Sequence, residues 1–169
     1  MKVRLTAACA LAVLALIPTQ PSIAQTHTGS STAPSSETSD EVAIRAALSS
    51  YNAALNGGQS AAVLPLYTPD GIFMAPYTSS FIGQDAVRRA YDAVFKELKF
   101  DVTFNISEVV QMAPTWAFVR TNSAGKTLHH SSGKTTSEAN QELFIFQKGD
   151  DGRWRIARYS FSPTNPPSQ

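Results

Sequence analysis

The sequence predicts an α+β domain, with three helices packed on one face of a curved, mostly antiparallel sheet. Three observations carry that expectation. Apolar residues recur at helical spacing as far as about residue 99 and alternate thereafter, so the helices precede the strands. Long strands joined by short turns, among them "GDDG" at 149–152, form a meander. A chain of 169 residues with 43% hydrophobic and 9% aromatic residues can bury one real core.

Thr38 and Glu41 open the folded part with the spacing of a capping box, in which the hydroxyl takes an orphan backbone N–H and the glutamate reaches back. Ile44, Ala47, Leu48, Tyr51 and Leu55 follow on one narrow helical stripe, and "NGG" at 56–58 supplies a glycine stop. Tyr51 therefore faces inward. Ser60 is placed to cap a short second helix that runs through Tyr67, with Pro65 limiting its regularity. "TPDG" at 68–71 reads as a turn and Ile72 to Tyr77 as a short strand. After "FIG", a third helix spans Gln84 to Lys99, with Val87, Ala90, Tyr91, Val94 and Leu98 on one face.

Phe100, Val102, Phe104 and Ile106 alternate with polar residues as in a half-buried strand. Val109 and Val110 break the phase, which predicts a bulge near Ser107 or Glu108. A strand from about Thr115 to Leu128 follows, then an exposed loop "HHSSGKTT" at 129–136. Two more strands, Ser137 to Lys148 and Arg153 to Phe161, complete the meander, and "SPTNPPSQ" is expected to fray.

The chain before the domain reads differently. Lys2 and Arg4 precede an uncharged run from Leu5 to Ile17, followed by Pro18, Pro21 and "SIAQ", the pattern of a secretory signal over residues 1–24. That run is shorter than the roughly 20 residues of a membrane span. Cys9 lies at the front of the run, away from a lipid-anchor position, and is expected to leave with the leader. Residues 25–38 are rich in Ser and Thr, lack large apolar residues and read as a disordered linker containing His27; residues 164–169 read as a disordered tail. The domain is thus assigned to 39–163, in a periplasmic or secreted protein with no membrane attachment once the leader is removed. With Lys2 and Arg4 gone, 12 basic residues face 13 acidic ones, so the basic footprint of a nucleic-acid binder is missing. No cysteine would remain for a disulfide or thiolate.

The order of elements, together with "YNAALNGG", "LYTPDGIFMAP", "FIGQDAVRRAY" and "FIFQKGDDGRWRIARYSFSP", resembles the nuclear transport factor 2-like superfamily, and within it the SnoaL-like and DUF4440-type proteins. The resemblance covers about residues 39 to 163. It implies a cone-shaped (cystatin-like) α+β fold, an apolar pocket between helices and sheet, and homodimers formed through the outer sheet face. The first helix is similar to that of ketosteroid isomerase, which uses a tyrosine and a protonated carboxylic acid as an oxyanion hole and an aspartate as base. On that resemblance Tyr51 matches the tyrosine and Glu142 of "QELFIF" falls where the acid is expected. The base position is Ala75, which cannot take a proton.

Tyr51 and Glu142 are therefore the candidate catalytic or anchoring groups, and Phe73, Ala75, Tyr91, Trp116, Phe118, Arg120, Asn140 and Phe144 complete the expected pocket lining. Each also has a structural reading: Tyr51 as a core tyrosine, and an Arg120–Glu142 pair as a buried ion pair that serves packing as readily as chemistry. Glu138, Asn140, Glu142, Phe144 and Phe146 share one face of their strand, and the aromatic neighbours favour the concave side, where burial would raise the Glu142 pKa. His129 and His130 are adjacent and so point to opposite faces, which argues against a metal site. No phosphate-binding loop or GxSxG elbow is present, and no cofactor is expected. Three functions stay open: an exported domain binding a small apolar molecule, an isomerase, cyclase or dehydratase-type enzyme without the usual base, and a dimeric interaction module. Trp154, Ile156 and Phe161 do not share one alternation phase, which suggests apolar sheet surface left over for a second copy.

Overall fold

The computed structural model describes residues 37–165; the expected leader, most of the expected linker and residues 166–169 of the expected tail lie outside this range. Three helices pack on a six-stranded sheet of order β2-β1-β6-β5-β4-β3. The elements are α1 (Ser39–Gly57), α2 (Ser60–Val63), β1 (Tyr67–Met74), β2 (Phe81–Ile82), α3 (Gln84–Glu97), β3 (Leu98–Ala113), β4 (Trp116–His129), β5 (Thr135–Lys148) and β6 (Trp154–Pro163). All strand pairs are antiparallel except β1 with β6. No helix among the described residues is long and apolar enough to cross a membrane.

α1 begins and ends as its sequence dictates. The Thr38 hydroxyl accepts from Glu41 N while Glu41 Oε2 accepts from Thr38 N, and Gly58 closes the helix at φ 67°, a left-handed conformation that glycine adopts without a Cβ penalty. Ile44, Leu48, Tyr51 and Leu55 are all buried. The polar side chains beside them also have tasks. Asn52 and Asn56 donate to Val102 O and accept from Phe104 N and Val102 N, so the helix satisfies the free backbone of edge strand β3. At the other end of α1, Asp40 accepts from Lys148 Nζ (2.7 Å) and Trp154 Nε1 (3.0 Å), tying the helix to β5 and β6.

The second helix is shorter than expected. It stops at Val63, a single tight turn carries Leu64–Leu66, and Tyr67 is already strand. Ser60 is the first helical residue and not its cap; its hydroxyl donates to Asp92 of α3. "TPDG" is no free turn: β1 advances from Tyr67 to Ile72 while β6 advances only from Ile156 to Arg158, so the turn-forming residues are absorbed as a bulge within the strand. β1 ends at Met74, and α3 ends at Glu97 because Leu98 has passed into β3.

The bulge predicted near Ser107 lies between Ile106 and Glu108. Another, unforeseen, sits at Ala157: Ile145 pairs with Arg158 and Phe146 with Ile156. This extra residue re-phases β6, so that Trp154 and Ile156 before it and Tyr159 after it are all buried. The mismatched alternation therefore reflects a bulge and not an apolar outer face on β6. Thr164 and Asn165, expected to fray, stay attached: Thr164 N donates to Ala139 O and Asn165 Nδ2 to Ser137 O.

Candidate functional site

Helices and sheet enclose a cavity of about 320 Å³. Its walls are mainly aromatic and aliphatic: Tyr51 and Leu55 from α1, Phe73 from β1, Tyr91 and Val94 from α3, Phe100 and Phe104 from β3, Tyr159 and Phe161 from β6. Ala75, Pro76 and Tyr77 form part of the rim, where Tyr77 is fully exposed and holds φ at 61°. Ser123, Glu138 and Asn140 supply the polar end.

Four tyrosines order the interior. Tyr51, Tyr67, Tyr91 and Tyr159 are at most 5% exposed. The Tyr91 hydroxyl lies 2.6 Å from that of Tyr51 and 3.0 Å from that of Tyr67, so it can donate to one and accept from the other. Burial pushes all four phenols well above their usual range, because a phenolate there would lose its hydration. They are neutral donors and acceptors at physiological pH. Phe73 stacks on Tyr91 (5.1 Å) and on Tyr159 (5.5 Å), and Tyr159 stacks on Phe144 (4.2 Å), which fixes the ring orientations.

Glu142 faces the concave side and is 3% exposed. Thr121 Oγ1 donates to one carboxyl oxygen at 2.5 Å and Ser123 Oγ donates to the other. Burial raises its pKa, while the Ser123 and Thr121 hydroxyls oppose the rise. The Glu142 charge also disfavours ionisation of Tyr51 and Tyr159, as nearby negative charge must. Glu142 does not itself line the cavity: Ser123 stands between, touching both.

Of the expected lining residues, Tyr51, Phe73, Ala75, Tyr91 and Asn140 border the cavity, and Phe144 lies just behind it, against Tyr51 and Tyr159. Trp116, Phe118 and Arg120 do not. β4 turns Ala117, Val119, Thr121 and Ser123 inward and buries them, which leaves Trp116, Phe118 and Arg120 on the outer face. The small inward side chains of β4 leave room for the rings of Tyr51, Phe144 and Tyr159, so bulk was a poor guide to direction. Arg120 accordingly pairs with Glu108 across the exposed face at 2.7 Å and makes no pair with Glu142. His129 hydrogen-bonds Thr136, and no group of three His, Cys, Asp or Glu among the described residues could hold a metal ion. Tyr159, Ser123, Phe100 and Phe104 were not anticipated in the lining. The regular alternation of β3 would have placed Phe100 and Phe104; the Ala157 bulge hid Tyr159.

The apolar walls can hold a small ligand body, the tyrosine hydroxyls can hydrogen-bond a neutral group, and the acidic end can accept from a donor. No acid or base occupies position 75, where Ala75 has only a methyl group.

Comparison with known proteins places this arrangement. Residues 48–157 match the SnoaL-like domain model. A ketosteroid isomerase-like protein from Erwinia carotovora atroseptica is 36% identical, superimposes with a TM-score of 0.74, and the alignment covers 77% of this chain and all of that one. A conserved protein from Planctomyces limnophilus is 24% identical (TM-score 0.66; 73% of this chain, 97% of that chain). A nuclear transport factor 2-like superfamily protein from Salmonella enterica shares the fold at 14% identity (TM-score 0.64; 74% of this chain, 91% of that chain). No curated protein matches. The chain belongs to the SnoaL-like domain family, and it shares the fold of nuclear transport factor 2-like proteins.

Proposed function

We propose that this is an exported domain that binds a small, largely apolar molecule in the cavity and holds it without chemical change. The observation that carries this reading is the cavity itself: about 320 Å³, walled by aromatic rings, with a few convergent polar groups at one end and Ala75 at the rim. That volume falls at the small end of the range for ligand sites, roughly 300–1,000 Å³. The leader-like segment 1–24 supports export. Native mass spectrometry of protein isolated from its producing cells tests the reading: a retained small molecule is expected, and Ala75→Leu, which fills the rim, should reduce its occupancy. Protein that carries nothing and binds no apolar probe would refute it.

A second reading is an isomerase-type enzyme. Likeness to the ketosteroid isomerase-like protein and the buried Tyr51 hydroxyl favour it, since a neutral phenol can stabilise an enolate. Against it stands the missing proton acceptor at Ala75.

We also propose a homodimer through the outer sheet face. Val110 and Leu143 are exposed there, and Trp116, Phe118 and Ile145 are half-buried on adjacent strands. The cross-strand pairs Val110–Phe118 and Phe118–Ile145 make these side chains contiguous.

A further inference from the structure

The polar end of the cavity carries acid and no base. Among the described residues no Lys, Arg or His lines the cavity, and neither Glu138 nor Glu142 has a cationic partner: the ion pairs of the sheet engage Arg120, Lys148, Arg155 and Arg158 elsewhere. Glu138 borders the cavity. Its Oε2 accepts from Thr127 Oγ1 at 3.1 Å and its Oε1 from Asn140 Nδ2 at 2.9 Å, which leaves lone pairs on both oxygens for another donor. Glu142 stands one step behind, linked to the cavity through Ser123 Oγ.

A second observation points independently to a ligand. Asn140 lines the cavity, is 7% exposed, and its Oδ1 is buried without any partner. The amide cannot be turned over to cure this. Its Nδ2 donates to the Glu138 carboxylate and approaches Ser123 Oγ at 3.4 Å, and the flipped amide would set oxygen against carboxylate oxygen. Such an acceptor is satisfied by a donor on a ligand or by a bound water. Tyr159 and Phe161 line the same cavity, and aromatic rings attract cations.

We propose that the ligand is a cationic amine: an aromatic or alicyclic body in the apolar part of the cavity, with an ammonium group that donates to Asn140 Oδ1 and to the Glu138 carboxylate. This rests on the binding reading above and narrows it. A neutral alcohol would satisfy Asn140 but leave the two acidic side chains without a counter-charge. A carboxylate ligand would face repulsion from Glu138 and find no cation to receive it.

Isothermal titration of the protein at neutral pH with tryptamine, tryptophol and indoleacetate tests this, since the three share a ring and differ in the terminal group. Tryptamine should bind about tenfold or more tightly than tryptophol, in keeping with a hydrogen bond to a charged partner, and indoleacetate weakest of all. Glu138→Gln should abolish the preference for the amine, so that tryptamine and tryptophol bind the variant with similar affinity. An unchanged circular dichroism spectrum and thermal midpoint show that the variant is folded. Asn140→Leu should weaken both. Tryptophol binding as tightly as tryptamine would overturn the amine class, and an amine preference that survives Glu138→Gln would overturn its assignment to the Glu138 carboxylate; either result leaves the binding reading standing. Failure of all three compounds to bind would overturn both.

Discussion

The Tyr91 hydroxyl sits 2.6 Å from the hydroxyl of Tyr51, and the same oxygen is 3.0 Å from Tyr67. Tyr91 is thus the hub of a buried chain that joins α1, β1 and α3 beside the cavity. Its removal should cost more than removal of either end, because it leaves two hydroxyls without their partner. Tyr91→Phe is expected to lose about 2–4 kcal/mol, and Tyr51→Phe or Tyr67→Phe about 1–2 kcal/mol, by the cost of buried unsatisfied groups. Urea denaturation of the three variants measures the order; equal losses would mean that the chain is not shared in this way.

Glu142 gives a pH signature of opposite sign to the exposed acids. Burial raises its folded pKa above the unfolded value, so the folded state holds the proton more tightly. Its contribution is then fully present below the unfolded pKa and is lost as pH rises through the folded pKa. Asp40, whose pKa is lowered chiefly by the hydrogen bond from Lys148, contributes above its unfolded pKa and loses that contribution on acidification. Comparing wild type with Glu142→Gln isolates the first effect. The variant should gain stability relative to wild type as pH rises from about 4 to 8, an interval that starts near the ordinary glutamate value. A difference independent of pH would show that Glu142 titrates as it does in the unfolded chain.

Gly125 of β4 pairs with Val102 of β3. A Cβ there would come within 2.1 Å of Asp101 O and 2.7 Å of Val102 Cα, both backbone atoms that cannot step aside as a side chain would. Val102 N and O are also held by Asn56, so β3 cannot shift without breaking that attachment. Gly125→Ala should destabilise by about 1–3 kcal/mol or more, the range for overpacking, and lower the midpoint of thermal unfolding. A neutral effect would mean that the two strands are further apart.

Much of this fold was legible because it follows from local chemistry. The Thr38–Glu41 cap, the glycine stop at 58, the inward stripe of Tyr51 and the bulge beside Ser107 all come from short-range rules that tertiary contacts reinforce. The inward direction of Glu142 followed from the aromatic residues on its face. What was misread depended on context that no single segment holds. β4 alternates two plausible faces, and its small side chains, Ala117 and Val119, are the buried ones because rings from other elements fill the space. At β6 one inserted residue, Ala157, reverses the phase and brings Tyr159 to the cavity. "TPDG" has turn composition yet was drawn into β1 beside β6. The attachment of Asn52 and Asn56 to an edge strand had no signal within α1 itself.

The proposed reading of binding without catalysis turns on Ala75. Wild-type protein should not isomerise a ketosteroid, because a donor stabilises an enolate only after a proton has been removed. Ala75→Asp places a carboxylate at the rim of the cavity, near Phe73 and Tyr77, where partial burial should raise its pKa. Enone absorbance should then report slow turnover by Ala75→Asp, and adding Tyr51→Phe should abolish it. Robust turnover by the wild type would contradict the assignment of the missing base.

The outer sheet face gives a test of assembly. If Phe118 and Ile145 meet a second copy, Phe118→Glu should convert a dimer to a monomer without loss of fold, since its side chain lies on the face opposite the core. Sedimentation velocity at micromolar concentration would read this directly. A wild-type monomer at that concentration would exclude the interface.

The central claim is that the cavity is a binding site. Its most direct test is a titration of isotopically labelled protein with tryptophol, a neutral apolar probe, followed by amide chemical shifts. Saturable shifts should cluster at Tyr51, Ala75, Tyr91, Phe104 and Asn140, which border the cavity on four different elements and the rim, while amides near Phe118 and Arg120 on the outer face stay still. Saturable shifts centred on the outer face, or no saturable shift at all, would contradict it.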